Sequence, residues 1–509
     1  MTEGTSQTAA AAAPLGIAKA ATHSASTQCF KGNAKAALGD RDLQNALKFV
    51  EVNFIARRQE VADRLPEFEA LRDAARDIKD HTLAYLDLYL EAYERRMTEQ
   101  GGNVHYAVTA EDARNIILDI CRKLGARAVT KGKSMVAEEI GLNDFLDANG
   151  IAAVETDLGE YIIQLRHEMP SHIIAPAVHL TKAQIEGDFR RAHSDLPRER
   201  NLEEPTSLLA EARSVLREKF LAADVGITGA NFLVAETGSS VIVTNEGNGD
   251  LTATLPRAHI VLASIEKVVP TLEDLAQLLR VLARSATGQE MSVYTTLTTG
   301  PRRAGDLDGP AEYHVVLLDN GRSAMLGGEF RDMLRCIRCG ACINHCPVYH
   351  AVGGHAYGWV YPGPMGAVLT PALIGIDQAR DLPNASTFCG RCEEVCPVRI
   401  PLPKMMRSWR EREFERHLSP AAARWGLAFW AFFAKRARLY RFATAVAARL
   451  MALAARGRGR FRHLPLASGW TRHRDFAAPQ GATFQSQWQA RRGAARGNAD
   501  PPGEQGARP

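Results

Sequence analysis

The sequence lacks any run of the ~18–20 apolar residues that a bilayer-spanning helix needs. The nearest approach, AAARWGLAFWAFFA at 421–434, is interrupted by Arg424 and stopped by Lys435 and Arg436. No G-x-G-x-x-G follows a strand pattern and there is no P-loop, so nicotinamide, flavin and nucleotide-phosphate sites have no sequence support. The N-terminus, MTEGTSQTAAAAAPLGIAKAATHSAS, has neither a basic start nor a continuous apolar core. It reads as a disordered tail over residues 1–30 and not as a secretory signal. Cysteine is scarce outside two short stretches, which hold seven of the nine. That clustering argues against a disulfide framework and for metal binding in a reducing, cytoplasmic compartment. Acidic residues thin out towards the end: residues 401–509 contain six Asp/Glu against 21 Lys/Arg, whereas residues 1–400 contain 52 against 41. A basic end on an acidic body suggests an acidic partner or an anionic membrane surface. No nucleic-acid motif accompanies the charge, so no nucleic acid is expected.

What is present fills several domains, as 509 residues allow. Residues 31–103 carry helical periodicity, with a break near Pro66. From 104 to 322 helical and strand patterns alternate, which predicts an α/β domain with a largely parallel sheet. Strands are expected in ARAVT, IAAVET, PSHIIAPAV, GITGANFLVAETGSSVIVT, RAHIVLASIEKVV and YHVVLLD. Residues 323–417 bear the cysteines among short helices and Gly/Pro-rich loops. A basic helical region follows over 418–490, and 491–509 reads as a second disordered tail.

The first cysteine run is Cys336-x2-Cys339-x2-Cys342-x3-Cys346-Pro347, the bacterial-ferredoxin spacing for [4Fe–4S] clusters. One tight loop delivers three thiolates to three corners of a cubane, and the fourth points towards a second cluster. A single structural zinc would want two separated pairs instead. The second run is Cys389-x2-Cys392-x3-Cys396-Pro397, with Ser386 where a first cysteine would fall. Crossover assigns Cys336, Cys339, Cys342 and Cys396 to cluster 1, and Cys346, Cys389 and Cys392 to cluster 2. Cluster 2 lacks a thiolate. It is [3Fe–4S], or [4Fe–4S] with a non-cysteine or partner-supplied ligand such as Ser386, or it is completed by Cys121 or Cys29.

VTKGKSMVAEEIGLNDFL, VETDLGEYIIQL, PSHIIAPAVH, DVGITGANFLVAETGSS, LDNGRS, CIRCGACINHCPVY and GGHAYGWVYPGPMGAVL together resemble the lactate-utilisation iron–sulfur protein family (LutB, also called YkgF). The resemblance implies an α/β lactate-utilisation domain of the isomerase and CoA-transferase-like type, joined to an α-helical two-cluster ferredoxin domain. It implies a subunit that works with two companions, one cysteine-rich and one α/β, to oxidise L-lactate to pyruvate. Lactate oxidation releases two electrons and a cluster accepts one at a time. With no flavin motif, the two-electron step is expected on a partner or at the open iron of cluster 2. The basic, aromatic stretch after residue 420 is expected to pack on a partner, or to lie peripherally on the inner membrane face near the quinone pool.

Within the α/β region, Gly226, Gly229 and Gly238 fall near strand ends, where such folds bind ligands. Thr228, Asn231, Thr237, Asn245 and Asn248 share that stretch. Glu236 and Glu246 are candidates to take a proton from a hydroxy acid. Lys131 and Lys133, ahead of Glu138 and Glu139, are candidates to bind its carboxylate. A second functional class, a redox-sensing binding protein for a small carboxylic acid, uses the same two regions without net electron flow.

Overall fold

The computed structural model describes residues 26–497 apart from 456, 465, 466, 472 and 473. Most of the expected N-terminal tail, and residues 498–509 of the expected C-terminal one, lie outside the described residues. Residues 26–30 are held in place. Ser26 N–H donates to Gly358 O (2.8 Å), and Thr27 Oγ1 donates to Gln378 O (2.5 Å). Residues 491–497 continue the helix Phe484–Gly497.

Ten strands make two sheets in the α/β region. They are β1 (Asn103–Ala107), β2 (Ala128–Gly132), β3 (Ala152–Glu155), β4 (Val225–Thr228), β5 (Phe232–Val234), β6 (Ser239–Thr244), β7 (Ala258–Ser264), β8 (Val268–Val269), β9 (Tyr294–Thr298) and β10 (Glu312–Leu318). The main sheet runs β1-β10-β7-β4-β2-β3, and every neighbouring pair is parallel. The smaller sheet runs β8-β5-β6-β9, with antiparallel pairs at β5–β6 and β6–β9.

A parallel sheet must be covered on both faces, so its central strands read as continuous apolar runs. Alternate residues of β7 and β10 go to opposite cores. Ile260, Leu262, Val316 and Leu318 pack with Ile117 and Cys121 of the helix Ala110–Lys123. Val261, Ala263, Val315 and Leu317 pack with Tyr93 and Met97 of the helix Leu86–Glu99. The first of these helices is started by a capping box, in which Thr109 and Asp112 satisfy each other's backbone N–H.

Close approach explains Gly226 in β4. A Cβ there would overlap the carbonyl oxygen of Thr252, in the helix Asn248–Thr254 that lies on the strand. Gly226→Ala is expected to destabilise the protein by ~1–3 kcal/mol by overpacking. The check is chemical denaturation, where the midpoint should fall at unchanged m.

The expected strand in PSHIIAPAV does not form. Pro170 and Pro176 lack an N–H for a ladder, and the backbone between them turns instead, Ser171 N–H donating to Pro176 O (3.0 Å). Its polar groups bond to the cysteine-bearing region: Tyr349 OH donates to Ser171 O (3.0 Å), and Gly354 N–H donates to Ser171 Oγ (3.3 Å). Strands β1 and β9 escape the sequence pattern because they are half-exposed and have no apolar run. The N-terminal helices break after Asp63, around Pro66, as expected, and again at Tyr85.

The described residues up to Leu418 form one compact unit. A single core joins Leu47, Phe68 and Leu71 of the N-terminal helices, Phe232, Val241 and Leu278 of the α/β part, and Met333, Ile343 and Trp409 of the cysteine-bearing part. The described residues from Ser419 form a second unit. It contains the helices Ala421–Ala434 and Ala437–Ala455 and a short antiparallel pair, Arg460–Phe461 with Phe476–Ala477. No helix among the described residues is long and apolar enough to cross a membrane.

Candidate functional site

The two cysteine runs fold as copies of one loop, fifty residues apart. Arg338 (φ 61°) and Gly340 (φ 75°) flank Cys339, and Phe388 (φ 55°) and Gly390 (φ 83°) flank Cys389. The next bonds repeat as well. Ile343 N–H donates to Gly340 O (2.9 Å), as Glu393 N–H does to Gly390 O (3.1 Å). Cys346 N–H donates to Ile343 O (3.1 Å), as Cys396 N–H does to Glu393 O (3.2 Å). Glycine is required at 340, where φ is left-handed and a Cβ would press on the His172 ring at 3.2 Å.

The cysteines line two cavities. Cys336, Cys339, Cys342 and Cys396 face an inner one walled by Ile173, Met365, Val398 and Leu402. Cys346, Cys389 and Cys392 face an outer one with His345, Ser386 and Phe388 on its wall. Cys339 and Cys396 are buried, whereas Cys389 is exposed. Burial pushes the Cys396 thiol up to about 11 and, with the neighbouring Cys346 and Cys389 sulfurs, the Cys392 thiol up to about 12. Backbone amides work the other way, Ile400 N–H reaching Cys396 Sγ at 3.4 Å. A metal centre would take the place of the protons. No three cysteine sulfurs among the described residues lie within 4.8 Å of one another. A tetrahedral zinc, with Zn–S of about 2.3 Å, would draw them to about 3.8 Å. The sulfurs are therefore not gathered as one tetrahedral ion would gather them, whereas the separate corners of a cubane do not require it.

The N-terminal helices brace the second run. Arg72 donates to Cys396 O from Nε (3.2 Å) and Nη2 (2.9 Å), and Arg58 Nη2 donates to Val395 O (3.2 Å). Ser386 Oγ accepts from Phe388 N–H (3.1 Å), which folds the loop where a thiolate would otherwise sit. Neither spare cysteine lines a cluster cavity. Cys29 is exposed, and Cys121 lies in the core behind the main sheet, its thiol pushed up to about 12 by burial.

A third cavity, of ≈ 190 Å³, opens off the carboxyl ends of β2, β3, β4 and β7 and reaches Cys339. Parallel sheets bind ligands at this edge. Its wall includes Lys133, Asp157, Asn231, Lys267, Arg338 and Tyr361. Lys133 and Glu246 meet here: the Lys133 ammonium pairs with Asp157 and, at 3.4 Å, with Glu246. Although burial opposes the charge, these carboxylates raise the Lys133 pKa. Lys131 is spent inside the fold, 2.6 Å from both Glu138 and Glu155. Burial, with Glu155 and Asp157 nearby, raises the Glu160 carboxyl well above its ordinary range. Asn231 and Asn245 line the cavity too. Glu236 does not. Its Oε2 accepts from Leu272 N–H (2.9 Å) at the start of the helix Leu272–Thr287. Thr228 bonds His259 (2.8 Å), and Thr237 bonds Ser239 (2.8 Å) in the β5–β6 turn at Gly238.

The cations that remain available are two the sequence did not single out. Lys267 is 6% exposed, and its ammonium has no hydrogen bond or ion pair among the described residues. Burial, then Arg338, pushes its pKa down to about 7. Arg338 Nη2 reaches Glu266 Oε1 (3.3 Å) and its guanidinium lies over the Tyr361 ring, 4.8 Å from the centroid, but its Nη1 is buried without a partner. Two signals were readable in the sequence: Arg338 sits between two ligand-spaced cysteines, and Lys267 follows the apolar run of β7.

Beneath Tyr361 lies a buried charge network. Arg322 bonds Glu139 (2.6 and 3.0 Å) and pairs with Glu266 (3.1 Å), while Tyr361 OH and Asn320 Nδ2 donate to Glu139 (2.6 and 2.7 Å). Burial alone would raise the Glu139 carboxyl, but Arg322 and these donors hold it below the ordinary range.

An α/β sheet with a ligand cavity at its carboxyl edge, fused to two ferredoxin-like cysteine cradles, defines an α/β protein with an iron–sulfur dicluster region. The LUD domain family matches residues 90–318, and the 4Fe-4S dicluster domain family matches residues 332–400. Lactate utilization protein B of Bacillus licheniformis is 43% identical over 474 residues, covering 92% of this chain and 97% of its own. The Bacillus subtilis protein of that name is 41% identical over 466 residues (90% and 95%). The uncharacterized electron transport protein YkgF of Escherichia coli is 42% identical over 457 residues (90% and 95%). The chain belongs to the lactate utilization protein B family. A solved DUF162 family protein from Deinococcus radiodurans is similar at 17% identity over 46% of this chain and 98% of its own, but its TM-score of 0.24 carries no argument.

Proposed function

We propose that this chain is the iron–sulfur electron-transfer subunit of a multi-protein complex that oxidises L-lactate to pyruvate, and that the hydroxy acid is held in the cavity beside Cys339. The observation that carries this is that Arg338, whose Nη1 is buried without a partner, and Lys267, for which no hydrogen bond or ion pair is formed among the described residues, share the wall that also holds a cysteine of the inner cradle. Arg338 binds the substrate carboxylate. Lys267, an amine that burial keeps near neutrality, takes the hydroxyl proton. Cys336, Cys339, Cys342 and Cys396 hold the inner cluster, and Cys346, Cys389 and Cys392 hold the outer one. When bound, such clusters accept electrons one at a time. Lactate gives up two electrons and two protons in becoming pyruvate, so two clusters match its electron count. The exposed position of Cys389 supports the outer cluster as the exit towards a companion subunit. In this reading the inner cluster, if held by these cysteines, would be the nearer electron acceptor, because the cavity abuts Cys339.

The second unit supports the contact with companions. No side chain of the helix Ala421–Ala434 is buried, and Trp425, Phe429 and Trp430 are exposed. A peripheral membrane contact near the quinone pool is the weaker use of the same face.

The test uses anaerobically purified Lys267→Met and Arg338→Gln proteins, assayed with their companions. Lactate-dependent reduction of the clusters is expected to fall by about 10²–10⁴-fold at unchanged iron content. Wild-type reduction rates in fully loaded variants would sink the proposal. Lactate affinity that follows cluster oxidation state without net electron flow would favour the redox-sensing class instead.

A further inference from the structure

A second metal-ligating constellation lies away from the cysteines, where the α/β part meets the cysteine-bearing part. Glu168 and His179 come from the irregular segment between the helices Leu158–Arg166 and Lys182–Ala192, and His355 from the loop GGHAYG. Among the described residues they are the one set of three His, Cys, Asp or Glu whose ligand atoms all lie within 4.8 Å of one another.

The geometry is close to that of ligands sharing an ion. Glu168 Oε2 and His179 Nε2 are 2.9 Å apart. That is a hydrogen-bonded pair, and two ligands at about 2.1 Å from one tetrahedral ion stand about 3.4 Å apart, so a shift of about half an ångström would let an ion replace the shared proton. The His179 and His355 rings approach to 4.4 Å between centroids at 62°. His355 Nε2 lies 2.7 Å from Met169 O. A carbonyl accepts only from a protonated nitrogen, so Nδ1 carries the lone pair. Metal-binding histidines are oriented in this way, with the far N–H given to a backbone carbonyl. His179 is 9% exposed, and its Nδ1 is buried without a partner. Arg166 Nε takes the other carboxylate oxygen of Glu168 (3.0 Å), which leaves one oxygen for an ion. A cavity of ≈ 170 Å³ opens on all three residues and shares no lining residue with the cavity beside Cys339.

We propose that Glu168, His179 and His355 bind a divalent transition-metal ion of the zinc(II) or iron(II) class, with an open coordination position facing this cavity. Two imidazoles and one carboxylate are the donor set of such sites, and the room beside them is what separates an open site from a closed structural one. The ion would tie the loop carrying His355 to the segment carrying Glu168 and His179. Gly354, next to His355, already lies so close to Ser171 that a Cβ would overlap its carbonyl.

The test uses anaerobically purified protein with its clusters in place, stripped of loose metal by a mild chelator and titrated with Zn²⁺ alone against a chromogenic competitor. One zinc per chain is expected, and zinc-edge X-ray absorption should show only nitrogen and oxygen neighbours at about 2.0–2.1 Å. Glu168→Gln and His355→Ala should each weaken binding by at least about 10–100-fold, with cluster iron and visible absorption unchanged. Should His355→Ala fail to fold, the isosteric Glu168→Gln decides alone. Zinc uptake equal in wild type and Glu168→Gln overturns the proposal. So does a sulfur neighbour at about 2.3 Å, which would place the ion on the cysteines.

Discussion

Anaerobically purified Cys396→Ser protein is expected to lose about four iron per chain, the content of one cubane, and to keep the outer cluster. The residue belongs to the second cysteine run by position, but its sulfur faces the inner cavity with Cys336, Cys339 and Cys342. Serine cannot replace it well, because an alkoxide is far harder to form than a thiolate. The converse holds for Cys346. It lies in the first run and faces the outer cavity with Cys389 and Cys392, so Cys346→Ser should remove the outer cluster and spare the inner one. Iron and sulfide analysis with EPR of the reduced proteins checks both. Each variant should show one uncoupled cluster where the wild type shows two interacting ones. If Cys396→Ser instead keeps the inner cluster and loses the outer, each run serves its own cluster and the crossed assignment is wrong.

The second large effect is on stability. Arg322→Met should cost about 3–5 kcal/mol, the usual consequence of removing one partner from a buried ion pair. Arg322 and Glu139 have fully buried side chains, and Glu266 is 2% exposed. Without Arg322, Glu139 keeps only the neutral donors Tyr361 and Asn320. Glu266 keeps Arg338 at 3.3 Å, and that is the arginine proposed to meet substrate. The loss should therefore reach the cavity: Arg338 is left as the arginine paired with Glu266 and is drawn towards it. Anaerobic denaturant titration checks the first part, where a shift worth under about 1 kcal/mol would show that the network contributes little. Glu139→Gln, which keeps the shape and an acceptor for Arg322, should cost less.

The two cysteine loops were legible because they are local. Three thiolates come from one seven-residue loop, Cys336 to Cys342, and the left-handed turns that aim them are written as x-Cys-Gly in both runs. The parallel sheet was legible for a similar reason: strands buried on both faces cannot hide their apolar runs. The cavity beside Cys339 was legible only in part. Lys133 and Glu246 do meet at its edge, but they satisfy each other and Asp157. Glu236, only ten residues from Glu246, is carried away by the β5–β6 turn to the start of a helix. No pattern in the stretch distinguishes these two carboxylates.

By itself, then, the sequence determined the α/β class, the two cluster loops and the absence of a nucleotide fingerprint, since each rests on neighbours along the chain. Tertiary structure alone decided which groups share a site. Lys267 and Arg338 are brought together from the turn after β7 and a cysteine loop. Arg58 and Arg72 of the N-terminal helices close on the backbone of the second run. Glu168 and His179 are joined by His355, more than 170 residues further along the chain. These pairings arise where one hydrophobic core folds three stretches of chain into a single unit. Burial strips water from the charges it encloses and makes them depend on whichever partners the fold sets beside them.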